Sequence, residues 1–116
     1  MNPPAPESQF GQALTLRVAG ANLYLDHETC ARFLPDAQAV ALLKRDGQVL
    51  IVPLAAGSAG GLLLKVRNAR GDRVVHAQEF FRSQGLLEDF EQRSFELRWS
   101  DESAALVVAG IPNAVQ

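Results

Sequence analysis

Apolar and polar residues alternate along several stretches of the chain, and that alternation predicts a protein built mostly of strands. Leu14, Leu16 and Val18 are separated by Thr15 and Arg17, the period of two expected of a strand with one buried face. Gly20, Ala21 and Asn22 supply turn chemistry, so Leu23 to Leu25 read as a short returning strand. Asp26 can accept a first-turn amide as a helix N-cap, and HETCARFL places Cys30, Phe33 and Leu34 on one helical face before Pro35 stops it. AVALLKR and QVLIVPL then flank Asp46-Gly47, a dipeptide that tolerates positive φ and therefore predicts a tight hairpin.

The segment AAGSAGG at 55–61 has no bulky side chain to pack and is expected to act as a flexible connector. Beyond it, Leu62, Leu64 and Val66 alternate with Leu63, Lys65 and Arg67 as a strand, residues 68–72 turn the chain, and Val74 and Val75 return. His76 to Glu79 reads as a capping box with histidine in the serine position, Phe80 and Phe81 lie in the helix, and Gly85 closes it. Leu86, Leu87 and Phe90 are expected to cover the core while Glu88, Asp89 and Glu91 face water. Phe95, Leu97 and Trp99 share a strand face, SDES turns the chain into AALVVAG, and Pro112 ends the last strand.

The two halves carry the same order of elements. LTLRV, GANLYL, a helix, AVALLKRDG and VLIVPL match LLLKV, RGDRVV, a helix, SFELRWSDES and AALVVAG. Leu14, Leu16 and Val18 align with Leu62, Leu64 and Val66, and Val40, Leu42 and Asp46 with Phe95, Leu97 and Asp101. Each half is then an incomplete sheet whose apolar face needs the other. The expected fold is α+β and β-rich: a small barrel or sandwich of two β-β-α-β-β halves, with two short helices, related by a pseudo-twofold axis. Residues 1–11 are expected to be a disordered tail, and 12–112 one globular domain with halves 12–54 and 62–110.

GDRVVHAQEFFRSQGL resembles the glycine, short valine-rich strand and helix of swapped-hairpin, AbrB-type domains, and FELRWSDESAALVV resembles the hairpin that follows there. The resemblance spans residues 62–110. It implies a barrel closed by two swapped hairpins, here supplied by one duplicated chain instead of two, and a role as a DNA-binding regulator or antitoxin. Fold alone does not carry function with it.

Composition narrows the picture. In 116 residues, 47% are hydrophobic, 21% charged and 7% aromatic, which fits one soluble domain with an aliphatic core. A formal charge of −2 gives no overall attraction to polyanions, so binding nucleic acid would need a local patch. Cys30 is the single cysteine, which excludes an internal disulfide and favours a reducing, cytoplasmic location. MNPPAPESQF lacks the basic and apolar regions of a secretory leader, and the uncharged run 48–64 is broken by Pro53 and glycines, so no membrane span is expected.

Lys65, Arg67, Arg70 and Arg73 fall in one hairpin, a ribbon of cations that could follow phosphates or serve a protein contact; a solvated edge is the plainer reading. His27, Cys30 and His76 carry metal-ligand atoms, with His27 and Cys30 one helical turn apart, yet packing and capping explain them more simply. Gly57 to Gly61 has no following lysine or helix to hold a phosphate. Arg70-Gly71-Asp72 reads as a turn and not as an adhesion signal. No serine sits in a strained elbow, and Glu88 and Asp89 fall in a polar loop where burial cannot raise a carboxyl pKa. No catalytic, cofactor or metal site is therefore expected. The expected function is a non-enzymatic protein-interaction module, an accessory or assembly factor that binds a protein partner or itself. An AbrB-like or antitoxin-like DNA-binding regulator using the 65–73 hairpin is the alternative.

Overall fold

The computed structural model describes residues 14–114, so the tail expected at 1–11 lies outside the described residues. In chain order the elements are β1 (Leu14–Ala19), β2 (Asn22–Leu25), α1 (His27–Phe33), β3 (Ala39–Arg45), β4 (Gln48–Pro53) and β5 (Leu62–Leu63). They continue with β6 (Lys65–Val66), β7 (Arg73–His76), α2 (Gln78–Ser83), β8 (Arg93–Ser100) and β9 (Ala105–Ala109).

The strands form one antiparallel sheet in the order β5-β3-β4-β9-β8-β1-β2-β7-β6. Its two outermost strands are consecutive pieces of a single segment, residues 62–66, so the sheet curls into a nearly closed barrel. Leu62 and Leu63 pair with Val40 and Ala39, whereas Lys65 and Val66 pair with Val74 and Arg73. Between them Leu64 is buried, and its amide donates to the Gln38 carbonyl at 2.9 Å. This switch explains why Val66, expected on the buried face, is 57% exposed: the alternation resets where the strand changes partner.

A pseudo-twofold axis relates the halves as anticipated, with one change of register. Leu14 faces Leu97, and its counterpart Leu62 faces Val40, so Val40 corresponds to Leu97 and not to Phe95. Followed round the barrel, this correspondence makes Tyr24 equivalent to Val74 and Ile51 equivalent to Leu106. Both are directly paired in the sheet, as positions on a twofold axis must be. The two-residue alignment error arises at the turns: Asp46-Gly47 closes the first hairpin with two residues, while Asp101 to Ala104 take four in the second.

The inward faces of the strands meet in an aliphatic core. Leu16, Val18, Leu23, Leu25, Val40, Ile51, Val75, Leu106 and Val108 are essentially inaccessible to solvent, as is Phe81 from α2. A smaller cluster of Leu50, Ala105 and Val107 lies on the outer face of β4 and β9.

The helices start and stop for readable reasons. The Asp26 carboxylate accepts from the Thr29 amide at 2.8 Å and caps α1, whose last turn ends before Pro35. On α2 the capping box does not form: Ala77 is the N-cap and makes no side-chain hydrogen bond. His76 instead donates from Nδ1 to Asn22 Oδ1 at 2.8 Å, because its position at the end of β7 aims it across the sheet at β2. At the other end Gly85 takes φ +69°, and the Leu86 amide donates to the Phe81 carbonyl at 2.8 Å, a left-handed closure.

Candidate functional site

The basic hairpin separates into three different environments. Lys65 is exposed on the outer face, and Arg67 lies over the Tyr24 ring at 4.7 Å. Arg17 approaches the same ring at 5.7 Å, so two cations from different halves meet on an aromatic side chain at the pseudo-twofold axis. Arg70 pairs with Asp72 at 3.2 Å. Arg73 turns back toward the barrel, donating from Nη1 to the Leu64 carbonyl at 3.2 Å, and its buried Nε has no partner.

Asp72, only 6% exposed, organises the turn. Its Oδ1 accepts from the His27 amide at 2.9 Å and from His27 Nδ1 at 3.3 Å, and its Oδ2 accepts from Asn68 Nδ2 at 3.0 Å. Asn68 Oδ1 in turn accepts from the amides of Arg70, Gly71 and Asp72. The Asn68 amide does most to hold the Asp72 carboxyl well below the usual carboxylate range; burial opposes it, and the His27 amide, the His27 ring and Arg70 reinforce it. The Arg70-Gly71-Asp72 tripeptide is thus an internal tie between β7 and the start of α1, with its carboxylate turned away from solvent.

The metal-ligand residues do not converge. His27 is committed to Asp72 and His76 to Asn22, while Cys30 is buried under α1, where desolvation pushes its thiol up to about 11 against a smaller lowering by Arg73. Among the described residues, no three His, Cys, Asp or Glu side chains are grouped to hold an ion. Glu88 pairs with Arg82 at 3.0 Å on the surface.

A surface that the sequence reading did not single out lies beside β3. The two equivalent seams of the barrel are zipped to different extents: β1 pairs with β8 over five residue pairs, but β5 pairs with β3 over only two. The missing pairs fall at the Gln38 end; beyond the start of β5, no strand among the described residues pairs with Ala41 to Arg45 on the side away from β4, just as none pairs with Arg98 to Ser100 on the side away from β9. The tight turn makes Arg45 and Gln48 a hydrogen-bonded pair, and the antiparallel alternation then aims the backbone groups of Leu42 and Lys44 at the open side. A groove of about 810 Å³ runs along this edge, lined by Leu42, Leu62 and Phe80 together with the polar His76, Glu79 and Arg82. Its pseudo-twofold counterpart is a groove of about 460 Å³ lined by Leu14, Asp26, Glu28 and Arg32. Leu43 projects outward from the edge at 45% exposure, followed by the exposed cations Lys44 and Arg45, neither of which has a carboxylate partner among the described residues.

The signal in the sequence was Leu42-Leu43-Lys44-Arg45, an apolar pair followed by a basic pair on one strand. Nothing in it disclosed that the chain before β5 would turn away at Gly60 and Gly61. No helix among the described residues is long and apolar enough to cross a membrane. Comparison with protein-family models, curated proteins and solved structures found no match.

Proposed function

We propose that this chain is a non-enzymatic protein-interaction module, an accessory or assembly factor acting in the cytoplasm, and that it meets its partner along the open edge of β3. The observation that carries this reading is a strand edge that no described residue pairs, beside a groove in which Leu42, Leu62 and Phe80 lie among polar side chains. Sheet edges left open offer main-chain donors and acceptors to another chain. A photo-crosslinking residue in place of Leu43 tests it in the native host. The expected result is a discrete partner adduct from position 43 and none from an exposed control on β8 such as Glu96. Equal labelling from both positions, or none from 43, would remove the proposal.

The second reading, a DNA-binding regulator, is favoured by the AbrB-type resemblance and by Arg17 and Arg67 around Tyr24, with Lys65 exposed on β6. It predicts that the protein retards duplex DNA at low salt, with affinity falling steeply as salt rises. Charge reversal by Arg17→Glu with Arg67→Glu should abolish retardation. Wild-type protein that leaves DNA unshifted at low salt ends this reading.

A further inference from the structure

The register of the open edge restricts what can lie on it. Leu42 and Lys44 share the face turned toward α2, while Leu43 and Arg45 share the outer face. A strand laid against them therefore meets an apolar position followed by a cation on each of its two faces. Leu42 sits beside Leu62 and Phe80 in the groove, which Glu79 also lines, and Lys44 reaches the Gln84 carbonyl at 3.2 Å and makes no ion pair among the described residues. On the outer face Leu43 is followed by Arg45 in the same way. β5 already occupies the first positions of this edge and runs antiparallel to β3, so an added strand in line with it has the same direction. Gly60 and Gly61, at φ +85° and +82°, turn the chain's own connector away before it can continue along Leu42.

We infer that the β3 edge takes an extended segment of a partner protein with two adjacent acidic residues followed by two adjacent aliphatic ones. This inference rests on the interaction reading and names the partner's chemistry. The aliphatic pair packs against Leu42 and Leu43, one residue on each face. The acidic pair meets Lys44 and Arg45. The backbone groups of Leu42 and Lys44 hydrogen-bond to the added strand, so the pairing that β5 leaves unfinished is completed in trans.

The test uses the full chain and two fluorescent peptides, Ser-Glu-Glu-Ile-Val-Thr and Ser-Lys-Lys-Ile-Val-Thr, followed by anisotropy. The first should bind and the second should not. Lys44→Glu with Arg45→Glu should weaken the acidic peptide at least about tenfold and favour the basic one, as expected when charge pairs set specificity. Lys44→Pro, which removes an edge amide that faces outward, should abolish binding while its thermal melt stays near wild type. Equal binding of both peptides, binding indifferent to Lys44→Pro, or no binding at millimolar peptide would overturn the inference. Concentration-dependent dimerisation that Lys44→Pro abolishes would also overturn it, assigning the edge to a second copy of the chain. If the peptides fail but position 43 still crosslinks a partner, the interaction reading survives with a different partner chemistry; if both fail, that reading falls with the inference.

Discussion

The two seams of the barrel occupy equivalent places about the pseudo-twofold axis and behave differently. Along β1 and β8 the strands are paired from Leu14–Leu97 to Val18–Arg93, and the half-buried Arg17 lies against Tyr24. Along β5 and β3 only Leu62–Val40 and Leu63–Ala39 remain, because Leu64 leaves to bond Gln38 and the next residues cross to β7. The pairs lost lie on the Gln38 side of β5, whereas the open edge of β3 lies on the other side; its counterpart Arg98–Ser100, also without a described partner toward β1, differs in carrying Trp99 stacked on Phe33 where β3 has Leu42. A duplicated fold can keep its core symmetric while spending the symmetry of its surface on a site, since strand partners at the edge contribute far less than shared interior contacts.

Removing the side chain that holds the open side together should have the largest effect. Phe81 is fully buried and reaches the core from α2, next to the incomplete seam, whereas α1 contributes only the smaller Thr29 and Cys30 as buried residues. Phe81→Ala is expected to cost about 4 kcal/mol in urea unfolding, and Cys30→Ala about 1 kcal/mol, because the lost transfer energy and the cavity both scale with the side chain removed. Equal losses would mean that the helices support their seams alike.

The turns that start the two halves differ as well. Gly20 and Ala21, at φ +57° and +62°, link β1 to β2 in two residues, but the β6–β7 connection is longer and depends on Asp72. A carboxyl whose folded pKa lies below its unfolded value adds stability above the unfolded pKa and loses it as pH falls through the folded one. Wild-type protein should therefore lose stability below about pH 4 more steeply than Asp72→Asn, and the two melting curves should converge in acid. Parallel curves from pH 7 to pH 2 would show that the tie to His27 and Asn68 contributes nothing.

Much of this was legible in the residues. The alternation at 14–18 and 95–99, Asp46-Gly47 and Gly85 marked strands, hairpin and helix end correctly, because each depends on local chemistry or on one buried face. The order of elements also disclosed the duplication. What escaped was whatever depends on a partner distant in sequence. Val66 alternates in phase with Leu64 yet is exposed, because the segment changes partner strand between them. His76 has the spacing of a cap but is drawn to Asn22 across the sheet. The four cations of 65–73 read as one ribbon, but Asp72 takes Arg70 and the Leu64 carbonyl takes Arg73. For the same reason the edge of β3 was invisible: it is left open by where the connector before β5 turns away, at Gly60 and Gly61, and not by β3 itself.

Proline offers the sharpest comparison of the two seams, since it deletes one amide donor and leaves the extended backbone otherwise permitted. Arg17 and Lys44 are both polar, outlying strand residues whose side chains contribute little to the core. The two-residue turn at Gly20-Ala21 makes Arg17 and Tyr24 a hydrogen-bonded pair, so Arg17→Pro deletes a bond inside a wall flanked by β2 and β8. Its ring would also crowd the neighbouring strand, and a cost of about 3 kcal/mol follows from the lost bond and the stranded carbonyl. The Lys44 amide, one residue from the hydrogen-bonded pair Arg45–Gln48 and so of opposite direction, points where no described strand lies. Lys44→Pro should therefore cost less than about 0.5 kcal/mol, the range of a surface change that breaks nothing. Lys44→Ala serves as the reference for the bond from Nζ to the Gln84 carbonyl. If both prolines destabilise alike in urea unfolding, the β3 edge is already paired in solution, and the docking site proposed on it disappears.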